Sequence, residues 1–186
     1  LEEHPLLRQE LTYAINLVSK YQFTDELLLY ALSLMSFDSQ HEFIDLIHTH
    51  GGLSDPNDYT QVKNTLDEFR TWGRAIYKAL IHGEISISQR ELRQFIVSLL
   101  TKERGSAISK NEIEYFKRTD TLKSLFHLSS EEIQVLNFIY CLVSINSYRL
   151  TSLTSDISFF EFLRIVSIAV SLPVMGVKQA LRYDGR

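Results

Sequence analysis

The sequence predicts an all-α protein: a multi-helix bundle that closes on a C-terminal helix-turn-helix unit. Three observations carry this. Five serines each stand three positions before a glutamate at the head of an apolar helical pattern: Ser39 with Glu42, Ser88 with Glu91, Ser109 with Glu112, Ser129 with Glu132 and Ser158 with Glu161. That spacing lets the hydroxyl accept the N3 amide while the Glu side chain reaches back to the cap amide. Apolar residues then recur at helical spacing along most of the chain. Finally, the 186 residues contain only Pro5, Pro56, Pro173 and seven glycines, too few breakers for a turn-rich β-sandwich or barrel.

The first helix is expected over residues 5–20, with Leu7, Leu11, Ala14 and Val18 on one face. Thr24 precedes a second, about 25–36, whose near-continuous leucines mark it as central. A short third helix at 40–49 stops at Gly51-Gly52. Asp55, Pro56 and Asp58 then open the longest helix, 57–82, because a capping Asp, a Pro at the first position and a carboxylate near the positive dipole end all favour a start. Val62, Leu66, Phe69, Ile76 and Leu80 form its stripe, with Trp72-Gly73 beside it and Gly83 at its end.

Ile85 to Ile87 alternate too briefly for more than a linker or a stray strand. Leu92, Phe95, Ile96, Leu99 and Leu100 give the next helix a clean inner face until Gly105. Residues 110–126 read as a helix carrying Ile113, Phe116, Leu122 and Leu125, with a break allowed near Thr119 and Asp120. The helix at 130–145 is apolar on more than one face, so burial is expected. Residues 147–155, rich in Ser and Thr, read as an exposed loop, and helices at about 159–171 and 173–183 complete the chain. A division near Gly105–Ser109 would give an N-terminal bundle, 1–105, and a C-terminal unit, 106–186.

A formal net charge of −4 gives no overall attraction to phosphate backbones or anionic membranes, so nucleic-acid contact would need a local patch. The lone Cys141 lies in an apolar run and permits neither a disulfide framework nor a Cys-based zinc site within the chain. Residues 1–4 lack the features of a signal peptide, and without an initiator Met the true start is expected upstream. The longest uncharged run, Ile133 to Tyr148, falls short of the ~20 apolar residues of a membrane span. A soluble, cytoplasmic protein is expected.

The chemistry-bearing motifs are missing. There is no phosphate-cradling G-x-x-x-x-G-K-[ST] or G-x-G-x-x-G and no G-x-S-x-G elbow. His41, Asp45 and His48 share an i, i+4, i+7 face, yet the spacing is not that of H-E-x-x-H, and a polar surface near a helix end is the preferred reading. Cys141 is read as a packed hydrophobe rather than a nucleophile, and Trp72 as core or interface. Acidic pairs such as Asp67-Glu68 and Glu131-Glu132 are explained by capping and solvation. The expected catalytic, cofactor-binding and metal-binding residues are therefore none.

At the C-terminus, Ser167, Ser171 and Val177 have the spacing by which small residues let two helices cross and an apolar residue anchors the second. Lys178, Gln179 and Arg182 would be exposed, with Arg186 beyond, while Val174, Met175 and Gly176 occupy the turn that would enter a major groove. An apolar tip suits protein packing better than base readout. The expected interaction surface is therefore Val174, Met175, Lys178, Gln179 and Arg182.

The runs LSSEEIQVLNFIYCLVSI and FLRIVSIAVSLPVMGVKQALRYDGR, within residues 128–186, resemble the winged-helix-type region that precedes the motor core in a group of bacterial AAA-type ATPases. Leu128 to Glu132, Ser171, Val177, Ala180-Leu181 and Gly185-Arg186 carry the likeness. The resemblance implies that ATP and Mg²⁺ belong to a motor core after Arg186, where the wing would also continue. It further implies a non-catalytic region that recruits a protein client or partner or serves assembly, with homo-oligomerisation through the parent protein left open. The alternative is a DNA-binding helix-turn-helix regulator with a helical sensing or dimerisation domain. Nucleic acid is not the favoured partner, and no membrane partner is expected.

Overall fold

A computed structural model describes residues 6–51, 66–105, 110–143 and 148–182. Every regular element among them is a helix. In chain order these are α1 (Leu7–Lys20), α2 (Asp25–Ser33), α3 (Phe37–Thr49), α4 (Leu66–Ile81) and α5 (Gln89–Arg104). They continue with α6 (Lys110–Phe126), α7 (Ser130–Val143), α8 (Tyr148–Thr154), α9 (Phe159–Val170) and α10 (Val174–Ala180).

The helix starts follow local capping chemistry. Ser88 and Glu91 form the full reciprocal box. Ser129 and Glu132 do the same, the Glu132 amide donating to Ser129 Oγ and the Ser129 amide to Glu132 Oε2. Ser158 accepts the Glu161 amide, and Thr24 accepts that of Leu27. The expected box at Ser39 is replaced: Ser36 is the cap, so α3 starts three residues earlier than predicted. Ser39 is buried inside the first turn, where its hydroxyl donates to Glu103. Ser109 and the Asp55–Asp58 start lie outside the described residues.

The core is organised around α1 and α2. Leu27, Leu28, Tyr30, Ala31 and Leu32 of α2 are fully covered, as its all-round apolar sequence requires. α2 packs on α1, α4 and α8, while α1 lies between α5 and α9. Gly73 of α4 sits so close to α2 that a Cβ there would fall 2.3 Å from Leu29 Cδ2. Trp72 is buried edge-on to Phe43, with ring centroids 6.2 Å apart. Ile85 and Ile87 also tuck into the core, and Ser86 between them bonds the carbonyl of His50 through both its amide and its hydroxyl.

Residues on the two sides of the expected division share one core. Tyr13 of α1 meets Phe138 of α7 edge-on at 5.4 Å. Asn16 donates to the carbonyl of Ala169 at 2.8 Å. Tyr21 donates to Glu161 Oε1 at 2.6 Å, beneath the Arg164 guanidinium.

Two further expectations are corrected. The stretch read as a Ser/Thr-rich loop forms α8, because Leu150 and Leu153 are buried and the tertiary gain outweighs weak local propensity. Its threonines bond back to backbone carbonyls, Thr154 to Leu150 and Thr151 to Leu142. Helix α6 runs unbroken past Thr119 and Asp120, where the Thr119 hydroxyl is accommodated by donating to the Tyr115 carbonyl within the helix. No single helix among the described residues is long and apolar enough to cross a membrane.

Candidate functional site

The expected interaction surface is built on the turn between α9 and α10. Ser171 ends α9 in the left-handed region, with φ of +57°. The Leu172 amide donates to the Ser167 carbonyl and the Ser171 amide to that of Ile168, the paired closure of a Schellman turn. The Ser167 hydroxyl adds a bond to the Leu172 carbonyl at 2.5 Å. Pro173 then starts α10, bent 103° from α9. Val177 is fully buried and anchors α10, which packs on α7 and α9.

Successive helical residues lie about 100° apart, so Val174, Met175, Lys178, Gln179 and Arg182 fall on one side of α10 and its continuation. Lys178, Gln179 and Arg182 are exposed, Met175 is 63% exposed, and Val174 is half-buried. The side is mixed in character: one large apolar tip with two cations and an amide behind it.

A second surface was not anticipated. On α6, Ile113, Phe116, Leu122, Leu125 and Phe126 are exposed, the last two at 68% and 67%. On α7, Leu136, Tyr140 and Val143 are exposed at i, i+4 and i+7, although this helix was expected to be buried. What α6 turns inward is polar: Thr119 is buried, and half-buried Tyr115 donates to Oδ1 of buried Asn137 at 2.9 Å. The Tyr115 ring lies 5.3 Å from Tyr140 and 5.9 Å from Phe116, joining the apolar side chains of the two helices. Left-handed His127 ends α6, with the Leu128 amide returning to the Lys123 carbonyl.

The phase of the α6 sequence carries a signal for this. Ile113 and Leu122 are nine residues apart, about half a turn out of phase at 100° per residue, so no single stripe can bury both. The exposed apolar side chains thus lie on more than one side of α6, and those beside Tyr115 and Tyr140 form the part that continues onto α7, the kind of area that marks binding sites on folded proteins.

The candidate chemical groups are placed as follows. Cys141 is buried in α7, and burial, with Glu10 nearby, pushes its thiol well above the ordinary range. A thiol held protonated is a poor nucleophile. On α3, His41 Nδ1 lies 3.0 Å from the Phe37 carbonyl and its ring stacks near Phe37. Among the described residues, no three His, Cys, Asp or Glu side chains are gathered as a metal site. Comparison of the chain with family models, with curated proteins and with solved structures gives no match.

Proposed function

We propose that this chain is a non-catalytic helical recruitment region of an AAA-type ATPase, placed before the motor core and used to capture a protein client or partner. The single observation that carries the recruitment half of this reading is the set of exposed apolar side chains on α6 and α7, linked through Phe116, Tyr115 and Tyr140. Eight large apolar side chains stand in water there while polar groups fill the space behind them, a costly arrangement unless a partner covers them. The resemblance over residues 128–186 supports the ATPase half.

Sequencing the parent gene beyond Arg186 tests the ATPase half. A P-loop within the following hundred or so residues is the expected result, and its absence removes the assignment. Recruitment is tested with Phe116→Ser and Leu125→Ser in the full-length parent, read as loss of client-stimulated ATP turnover with basal turnover unchanged. Unaltered stimulation in both variants would refute it.

The DNA-binding alternative draws on one observation, the exposed Lys178, Gln179 and Arg182 behind the α9–α10 bend. Against it, exposed Met175 stands in the N-terminal turn where a recognition helix places base-contacting groups. A gel shift decides. Retardation of duplex DNA at low salt that weakens with added salt supports DNA binding, and no retardation removes it.

A further inference from the structure

We propose that the cleft between the C-terminal end of α1 and the first two turns of α5 is an oxyanion-binding site for a small organic ligand, a carboxylate or a phosphate monoester with an apolar body. The cleft has a volume of about 450 Å³ and is lined by Ser19, Gln89, Arg90, Arg93, Gln94 and Val97. That size is typical of small-molecule pockets and larger than a bare oxyanion would fill.

Arg93 is the centre of the site. Its Nη1 donates to the carbonyls of Val18 and Tyr21, both at 2.8 Å, and its guanidinium lies 5.2 Å from the centre of the Phe23 ring. These contacts hold the side chain in one place and close the end of α1. They use one nitrogen of three. Nε and Nη2 have no partner among the described residues, and no carboxylate balances the charge. The last carbonyls of α1 and the Phe23 ring compensate part of its charge and leave Nε and Nη2 available to a ligand. Burial holds its pKa below the ordinary arginine value, with no acidic group offsetting it.

Arg90 lies one turn earlier on the same side of α5, exposed and without a hydrogen bond or ion pair among the described residues. Two guanidinium groups spaced i, i+3 can present converging planar forks, the geometry that suits carboxylate and phosphate oxygens. Gln89 and Gln94 add amide donors at the rim. Ser19 does not, because its hydroxyl already donates to the Ile15 carbonyl. The acid nearest in sequence, Glu91, is tied to its own helix start by the amide and hydroxyl of Ser88. Among the described residues no acidic side chain lines the cleft, so the arginines set the sign of its side-chain charge. Half-buried Val97 and the aliphatic stems of the arginines supply the apolar part of the floor.

The site is independent of the recruitment reading, since it lies on α1 and α5 and uses none of the residues of α6, α7 or α10. The test is an NMR titration of the 186-residue chain, following backbone amides and arginine Nε–H signals. The probes are inorganic phosphate, phenyl phosphate and benzoate, with sodium chloride at matched ionic strength as the control.

The expected result is saturating shifts confined to residues 18–21 and 89–97 that chloride does not produce. Phenyl phosphate should bind more tightly than inorganic phosphate. Arg90→Gln, which disturbs no internal contact, should weaken binding about tenfold, the loss of one charge-assisted fork. Arg93→Lys keeps the charge but loses the fork and should weaken it at least as much. Saturation by phenyl phosphate alone assigns a phosphate ligand, by benzoate alone a carboxylate, and by both the shared oxyanion chemistry. No saturation by either at about 20 mM, or shifts that persist unchanged in both variants, would overturn the proposal, since even a weak millimolar site would register.

Discussion

Replacing Glu103 with Gln should detach the end of α5 from the start of α3. One carboxylate oxygen, Oε1, accepts three bonds: from the Ser36 amide at 3.1 Å and from the Ser36 and Ser39 hydroxyls at 2.5 Å each. Burial alone would push this carboxyl up, but the donors of Ser36 and Ser39 outweigh it and hold it below the ordinary glutamate value. A bond to a charged acceptor contributes about 1.5–3 kcal/mol. Gln retains a carbonyl oxygen that can take some of these donors, and the site is half-buried, so we expect Glu103→Gln to cost about 1–2 kcal/mol in all.

The sign with pH follows from the lowered carboxyl. Its contribution is complete above the unfolded glutamate value of about 4.3 and is lost as pH falls through the lower folded value. Urea unfolding followed by circular dichroism should show a constant gap between the two proteins from pH 5 to 8, closing below about pH 4. A variant as stable as the parent at pH 7, or a gap that widens on acidification, would refute the reasoning.

Three other outcomes follow from the packing and the turns. Gly73→Ala should destabilise by about 1 kcal/mol, because overpacking against Leu29 exceeds the helix-propensity gain. In a Leu29→Ala background the same change should turn neutral or stabilising, and additive urea midpoints would contradict the close approach. Ser171→Gly should raise the thermal midpoint by relieving the left-handed backbone, a gain of up to about 1 kcal/mol; a lowered midpoint would mean that the hydroxyl matters to the turn. Cys141 should react with a disulfide reagent at pH 8 only as fast as the protein opens, whereas immediate labelling of the native chain would contradict its burial.

Helix starts were legible because a cap is a local object: at Ser88, Ser129 and Ser158 the partners lie within three residues. Ser36 was missed because Ser39 offered the same pattern, and only distant Glu103 decides which serine caps and which is buried. The α8 helix was illegible for a related reason, since Leu150 and Leu153 become covered only once the fold has formed. For α6 the apolar pattern gave a helix but no inner face. An out-of-phase apolar pattern has two candidate faces, and buried Asn137 on α7, the partner of the Tyr115 hydroxyl, favoured the polar one. The arginine cleft left no motif, because Arg90 and Arg93 acquire significance only against the end of α1, some seventy residues earlier.

The clasp between α1 and α9 also has a consequence for synthesis. Asn16 reaches its acceptor on Ala169, 153 residues later in the chain. At translation speeds of about 5–20 residues per second, the leucines of α1 wait roughly 8–30 seconds before their final neighbours emerge. Through that interval the amphipathic α1 has only the helices already made, first α2, then α5 and later α7, to cover its apolar face.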